Sequence, residues 1–200
     1  MIEKGRPWGT VVARPDDLVA APSDAALAEL VAGGAGRPLT VTGGDLHRTL
    51  GSPRPPSGPT VRRIPVDLLR VELDDEPLAA VAHVVARRPG RAGWWRGPIR
   101  AVFNASFLGR WDVAPKGHPN DGRAEEIEVD PTMTLRQRWE ARRRLPTGTH
   151  LPHPDVRLVR RSAVVWELAG DLEVHLDGRM RGRPHVVRIT VAPDAYELYV

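Results

Sequence analysis

The 200-residue chain contains no cysteine. That excludes a disulfide framework, a thiol nucleophile and a zinc–thiolate centre, and it fits a reducing cytosol. No apolar run approaches the ~20 residues needed to span a bilayer as a helix. Residues 1–7 (MIEKGRP) lack the basic-then-apolar order of a secretory leader. The expected location is the cytoplasm, with any membrane contact confined to the surface. A strong charge of one sign is missing too: the formal net charge is +4 despite a pI near 10.2. A groove that tracks phosphates needs a larger, clustered excess. The excess here is nearly all arginine and is what an arginine-codon-rich genome produces, so nucleic acid is not an expected partner.

What the chain does have is enough to bury a core: 41% of its residues are hydrophobic and 27% charged. Residues 10–51 alternate strand and helix. Leu18-Val19-Ala20-Ala21 suits a buried strand, and Ser23-Asp24 offers capping side chains. Leu27, Leu30 and Val31 then share one face of a helix that Gly33-Gly34 stops. A second strand at 38–41 and a short helix from Asp45 to Gly51 complete a βαβ-like unit. Residues 52–60 hold four prolines and read as a stiff linker. Beyond it, short apolar or alternating runs at 66–71, 79–86, 99–107, 127–129, 156–159, 164–168, 172–176, 186–191 and 196–200 are separated by turns. Asp74-Asp75, Asp177-Gly178 and Pro193-Asp194 are the clearest of these. This pattern predicts a β-sandwich or a related two-sheet domain. One helix interrupts it at 134–145, with Leu135, Trp139 and Leu145 as its apolar face and five arginines elsewhere.

Residues 42–51, TGGDLHRTLG, resemble the TGNDFARTLG or TGNDLARTLG motif of bacterial diacylglycerol kinase-like lipid kinases, in the diacylglycerol kinase/NAD kinase superfamily. Gly44 replaces the motif's asparagine and His47 its alanine. Further segments are similar in order and spacing over about three-quarters of the chain: Phe103-Asn104 through Gly109, Ala114-Pro115 with Asn120-Asp121-Gly122, Thr147-Gly148-Thr149-His150, Val174-His175-Leu176-Asp177-Gly178 and the closing strand. Arg179 stands where the late hairpin usually carries glutamate. The resemblance implies an α+β, mainly β fold: a shortened nucleotide-domain remnant (1–51), the proline-rich linker (52–60) and a β-rich domain (61–200) like the C-terminal half of these kinases.

It also implies site residues. Asp121 takes the position of the general base that accepts a proton from a lipid hydroxyl. Asp24, Gly43, Gly44, Asp45 and Thr49 fall on the nucleotide side of the cleft. Yet the stretch aligned with the glycine-rich GGDGT loop reads Pro22-Ser23-Asp24-Ala25-Ala26. Glycines there let backbone amides approach phosphate, whereas proline removes an N–H and alanine adds a β-carbon. The expectation is therefore a degenerate relative that binds lipid or another ligand without phosphoryl transfer, with ATP and Mg2+ as cofactors only if kinase activity is retained. The alternatives are an active lipid kinase, or a regulatory module that pairs with a full-length kinase.

Each residue also has a purely structural explanation. Asn-Asp-Gly is a favoured turn, and Asp24 and Asp45 fall where helix N-caps are expected. Glu125, Glu126 and Glu128 offer carboxylates to magnesium or alternate along an exposed strand. His118, His150 and His153 have no register that fixes a metal, so no metal site is expected. Trp94-Trp95-Arg96 with Ile99, Phe103, Phe107 and Trp111 suits either an acyl-chain cleft or the rim of a β-core.

Overall fold

The computed structural model describes residues 7–34 and 36–200; residues 1–6, read above for a leader, and residue 35 lie outside them. The first segment comprises β1 (Thr10–Ala13), β2 (Val19–Ala21), α1 (Asp24–Ala32), β3 (Leu39–Val41) and α2 (Asp45–Thr49). Strands β2 and β3 pair in parallel with α1 crossing between them, the expected βαβ unit. Ser23 is extended and its hydroxyl accepts from the Ala26 amide at 3.2 Å, which starts α1.

After the proline-rich stretch come β4 (Thr60–Leu73), β5 (Glu76–Ala80), β6 (His83–Arg87) and β7 (Ile99–Phe103). The short hairpin β8 (Phe107–Leu108) and β9 (Trp111–Asp112) precedes β10 (Ala124–Val129) and helix α3 (Leu135–Arg144). The chain closes with β11 (Val156–Arg161), β12 (Ala163–Glu167), β13 (Glu173–Leu176), β14 (Arg179–Gly182) and β15 (Val186–Tyr199). Two expected stretches merge into β15, where a register shift between Ala192 and Tyr196 absorbs the Pro193-Asp194 turn. The single run at 79–86 splits into β5 and β6, because the amides of Val81 and Ala82 turn to a side chain described below.

The strands form a seven-stranded sheet, in order β1-β4-β15-β3-β2 with β5 on β4 and β12 on β15, and a six-stranded sheet, β11-β10-β7-β6-β13-β14. The fold is mainly β with a small α/β part, as expected. Strands β4 and β15 run 14 residues each, so one sheet serves both the βαβ unit at one end and the sandwich at the other. Between the sheets, Leu69, Val71, Trp166, Val187 and Ile189 meet Val84, Val102, Val174 and Leu176. Apolar burial of this kind, at about 25 cal/mol per Å2, is the main force holding the layers together.

The six-stranded sheet is buried on its other face as well. Val85, Ile99, Ala101, Phe103 and Ile127 pack there beneath Trp94, Trp111 and Leu145. This corrects the expectation that Glu125 and Glu126 lie on an exposed face: both are buried. It also re-aims α3. Leu135 and Trp139 are about half exposed, while Arg138 is buried and Arg138, Ala141, Arg142 and Leu145 face the sheet. Thr134 closes a capping box with Gln137 at the start of that helix.

Candidate functional site

The loops that precede α1 and α2 cross at the seam between the βαβ unit and the sandwich. Asp24 and Asp45 were expected to cap their own helices. Instead Ser23 caps α1 and Gly44 occupies the N-cap of α2. Asp24 reaches across to α2, where its Oδ2 accepts from the Asp45 amide at 2.5 Å and its Oδ1 from the Leu46 amide at 3.0 Å. A carboxylate on the positive end of a helix is favourably placed. The crossing is tight. A β-carbon at Gly44, whose φ is +99°, would stand 2.4 Å from Asp24 Oδ1, and one at Gly43 would stand 2.5 Å from the Pro22 carbonyl.

The side chain of Asp45, freed from capping, binds the sandwich. Its Oδ1 accepts from the Gly109 amide at 2.7 Å, and its Oδ2 lies 3.0 Å from His83 Nε2. Thr49 continues the seam: its hydroxyl donates to the Asp45 carbonyl at 2.8 Å and accepts from the Ser106 amide at 2.9 Å. His83 is buried at the start of β6. Behind it Asp177, in the turn between β13 and β14, accepts from the amides of Val81, Ala82 and His83 at 2.9, 2.9 and 3.0 Å.

The electrostatics follow from this crowding. Burial raises the Asp24 carboxyl to about 6, with the charges of Asp177 and Asp45 adding and the two amides opposing. Burial also raises Asp177, against the pull of His83 and the three amides. For His83 burial disfavours the charge, but the bond to Asp45 and the charges of Asp177, Asp45 and Asp24 outweigh it and raise the imidazole.

Asp121 belongs to a second cluster. It pairs with Arg160, and its Oδ1 accepts from the Arg123 amide at 3.0 Å. Arg160 Nε also lies 3.3 Å from Glu125, which burial and the Asp121 charge raise to about 7. Beside them Asp67, buried in β4, accepts from the amides of Gly122 and Asp194 at 2.7 and 3.0 Å. Asn104 joins the two clusters by donating to the carbonyls of Asp67 and Val81 at 2.9 and 3.0 Å. The structure thus brings Asp24, Gly43, Gly44, Asp45 and Thr49 together. Among the described residues no hydrogen bond or ion pair connects Asp121 to them.

Sequence reasoning passed over His83, Asp67 and Asp177 as site residues. A signal existed for the first two: each is a titratable residue set between apolar neighbours, which folding tolerates only when it is partnered. Among the described residues no group of three histidines or carboxylates is arranged to hold a metal. His153 Nδ1 accepts from the Asp155 amide at 3.1 Å, and His150 packs against the outer face of the six-stranded sheet.

That outer face holds an apolar cavity of about 140 Å3, lined by Phe103, Trp94, Trp95, Trp111 and Ile127 and roofed by Arg138, Ala141 and Arg142 of α3. The aromatic stretch singled out in the sequence supplies its three tryptophans, Ile99 and Phe103. No helix among the described residues is long and apolar enough to cross a membrane.

These features define a diacylglycerol kinase-like kinase fold. Three solved structures of proteins from Bacillus anthracis str. Sterne share it. A candidate diacylglycerol kinase superposes with TM-score 0.66 at 14% identity, over 92% of this chain and 78% of that one. A second such structure gives 0.63 at 14% identity, over 91% and 77%. A diacylglycerol kinase gives 0.61 at 16% identity, over 92% and 76%. No protein-family model and no curated protein matches the sequence. At these identities the likeness is one of fold.

Proposed function

We propose that the chain is a degenerate lipid-kinase homologue that binds lipid through its sandwich domain, at the membrane surface, without transferring a phosphoryl group. The observation that carries this reading is the destination of the Asp24 carboxylate. It is held by two backbone amides of α2, inside a crossing so close that neither Gly43 nor Gly44 leaves room for a β-carbon. The loop that would cradle phosphates offers little in its place. Pro22 has no N–H, and the amides of Ala26 and Leu27 bond to the hydroxyl and carbonyl of Ser23. The residues present do not fit a nucleotide phosphate. Asp121, the residue aligned with the general base, is engaged by Arg160.

Lipid binding draws on the apolar cavity under α3. Its tryptophans offer an apolar body with a polar edge, and the arginines of the helix suit an anionic surface, at roughly 1 kcal/mol per residue. Titration calorimetry with ATP and Mg2+ tests the first half: no heat is expected, and clear micromolar binding would sink it. Native mass spectrometry of the purified chain tests the second, with retained acyl lipid as the expected result.

One observation favours a second reading, retained phosphoryl transfer. Asp24, His83 and Asp177, all with shifted pKa values, gather around the Asp45 carboxylate at one seam, a pattern common in active sites. ADP release that depends on added diacylglycerol would establish it.

A further inference from the structure

The cavity under α3 carries three polar side chains with different obligations. Arg138 is fully engaged: its guanidinium donates to the carbonyls of Gly97 (2.5 Å), Asp130 (3.1 Å), Met133 (3.2 Å) and Trp94 (3.4 Å). His150 is 6% exposed, burial holds its pKa down, and its Nδ1 has no hydrogen-bond partner. Arg142 is held by stacking alone, over Trp111 at 4.6 Å and over Trp95 at 5.2 Å. Among the described residues no carboxylate pairs with it; Glu140, two positions away on the helix, bonds to Arg136. Stacking on indole faces fixes the guanidinium plane and leaves its N–H edge free for a planar anion.

Arg142 and Trp111 also line an adjoining surface groove together with Arg110, Arg143 and Trp139. Arg143 lies 4.8 Å over the Trp139 ring and likewise has no carboxylate partner among the described residues. The apolar cavity therefore opens beside a rim that is cationic and aromatic. Asp112, the next residue after Trp111, lies against Gly148 and does not line the cavity.

Size decides what enters. A dry cavity of about 150 Å3 takes one benzene ring, so 140 Å3 admits a hydrocarbon segment of roughly six carbons. Two long acyl chains do not fit. We propose that this site takes a single-chain lipid with a carboxylate head, a medium-chain fatty acid of roughly eight carbons, with its tail in the cavity and its carboxylate on Arg142. This rests on the reading of the cavity as a lipid site and narrows it to one chain and one charge.

Calorimetry on the full chain with octanoate, 1-octanol, octyl phosphate and palmitate tests it. Octanoate is expected to bind about tenfold more tightly than 1-octanol, the contribution of one charge-assisted contact. Arg142→Gln should remove that preference, so that the variant binds octanoate and 1-octanol with equal affinity. Ala141→Phe, which fills the cavity from the roof without touching the arginine, should abolish both, and thermal melts of the two variants verify folding. Equal affinity for octanoate and 1-octanol would overturn the proposal yet leave the cavity a lipid site. Tighter binding of palmitate would refute the chain length, and tighter binding of octyl phosphate would refute the carboxylate. If none of the four binds, the lipid reading beneath the proposal fails as well.

Discussion

The seam at α2 and the outer face of the six-stranded sheet belong to one fold, but they handle polar groups in opposite ways. At the seam most donors and acceptors find a partner inside the chain, with His83 Nδ1 and Asn104 Oδ1 as exceptions. Asp24 is on α2, Asp45 on His83 and Gly109, Thr49 on Ser106, and Asp177 on three amides. Under α3 an apolar space stays open, and Arg142 meets only aromatic faces. A closed network is worth more to stability than to binding, because any ligand must first displace bonds already made. An open cavity beside an unpaired cation favours the reverse. On the function proposed above, the seam serves architecture and the cavity serves ligand.

The comparison breaks most visibly if the seam is cut. Asp177→Ala leaves three backbone amides without their acceptor beside the buried His83. At ~1–3 kcal/mol for each unsatisfied buried group, a loss of at least ~3 kcal/mol is expected in urea denaturation. Asp177→Asn keeps one acceptor oxygen and should recover part of it. A loss below about 1 kcal/mol for Asp177→Ala would show that the seam is not a structural unit.

The second expected effect is a pH dependence. Glu125 titrates at about 7 in the fold against 4.5 for an ordinary glutamate. Between those values the folded chain holds a proton that the unfolded chain releases, so stability is full below about pH 4.5 and falls as pH rises toward 7. The full shift corresponds to roughly 3 kcal/mol. Asp24, Asp67, Asp177 and His83 act in the same direction, whereas the lowered His118 and His150 act against it. The difference between the wild type and Glu125→Gln isolates one group: it should grow in favour of the variant from pH 5 to 8 in thermal melts. A constant difference would place Glu125 in a solvated setting.

Much of this was legible in the sequence. The 3.6-residue spacing of Leu27, Leu30 and Val31 gave α1, and the turn residues at Asp74-Asp75 and Asp177-Gly178 marked hairpins whose aspartates adopt positive φ. Other features depended on distant partners. Asp24 caps a helix 21 positions away, and the break between β5 and β6 exists because Asp177 draws the intervening amides aside. Neither leaves a mark in local spacing. The buried Glu125 escaped notice because alternation along β10 suggested one solvated face, and there the loop at Gly117 and the Arg160 side chain lie against it. The orientation of α3 was misread for a related reason. A charged residue is buried when its donors are met, and Arg138 meets them on four backbone carbonyls, which hydropathy along the helix does not reveal.

The smallest expected effect probes whether the roof of the cavity and the sheet beneath it act as one body. Thr134 starts α3 by accepting from the Gln137 amide at 3.3 Å, while Gln137 Oε1 accepts from the Thr134 amide at 2.8 Å. Thr134→Ala removes half of this box and should destabilise by about 1 kcal/mol. The seam lies on other elements, so its amides should exchange as slowly as before. Those of α3 and of the segment around Trp94 and Gly97, whose carbonyls Arg138 grips, should exchange faster. Hydrogen exchange that rises equally across the whole chain would mean that cap, roof and seam open together. The division between a closed architectural seam and an independently opening cavity would then fall.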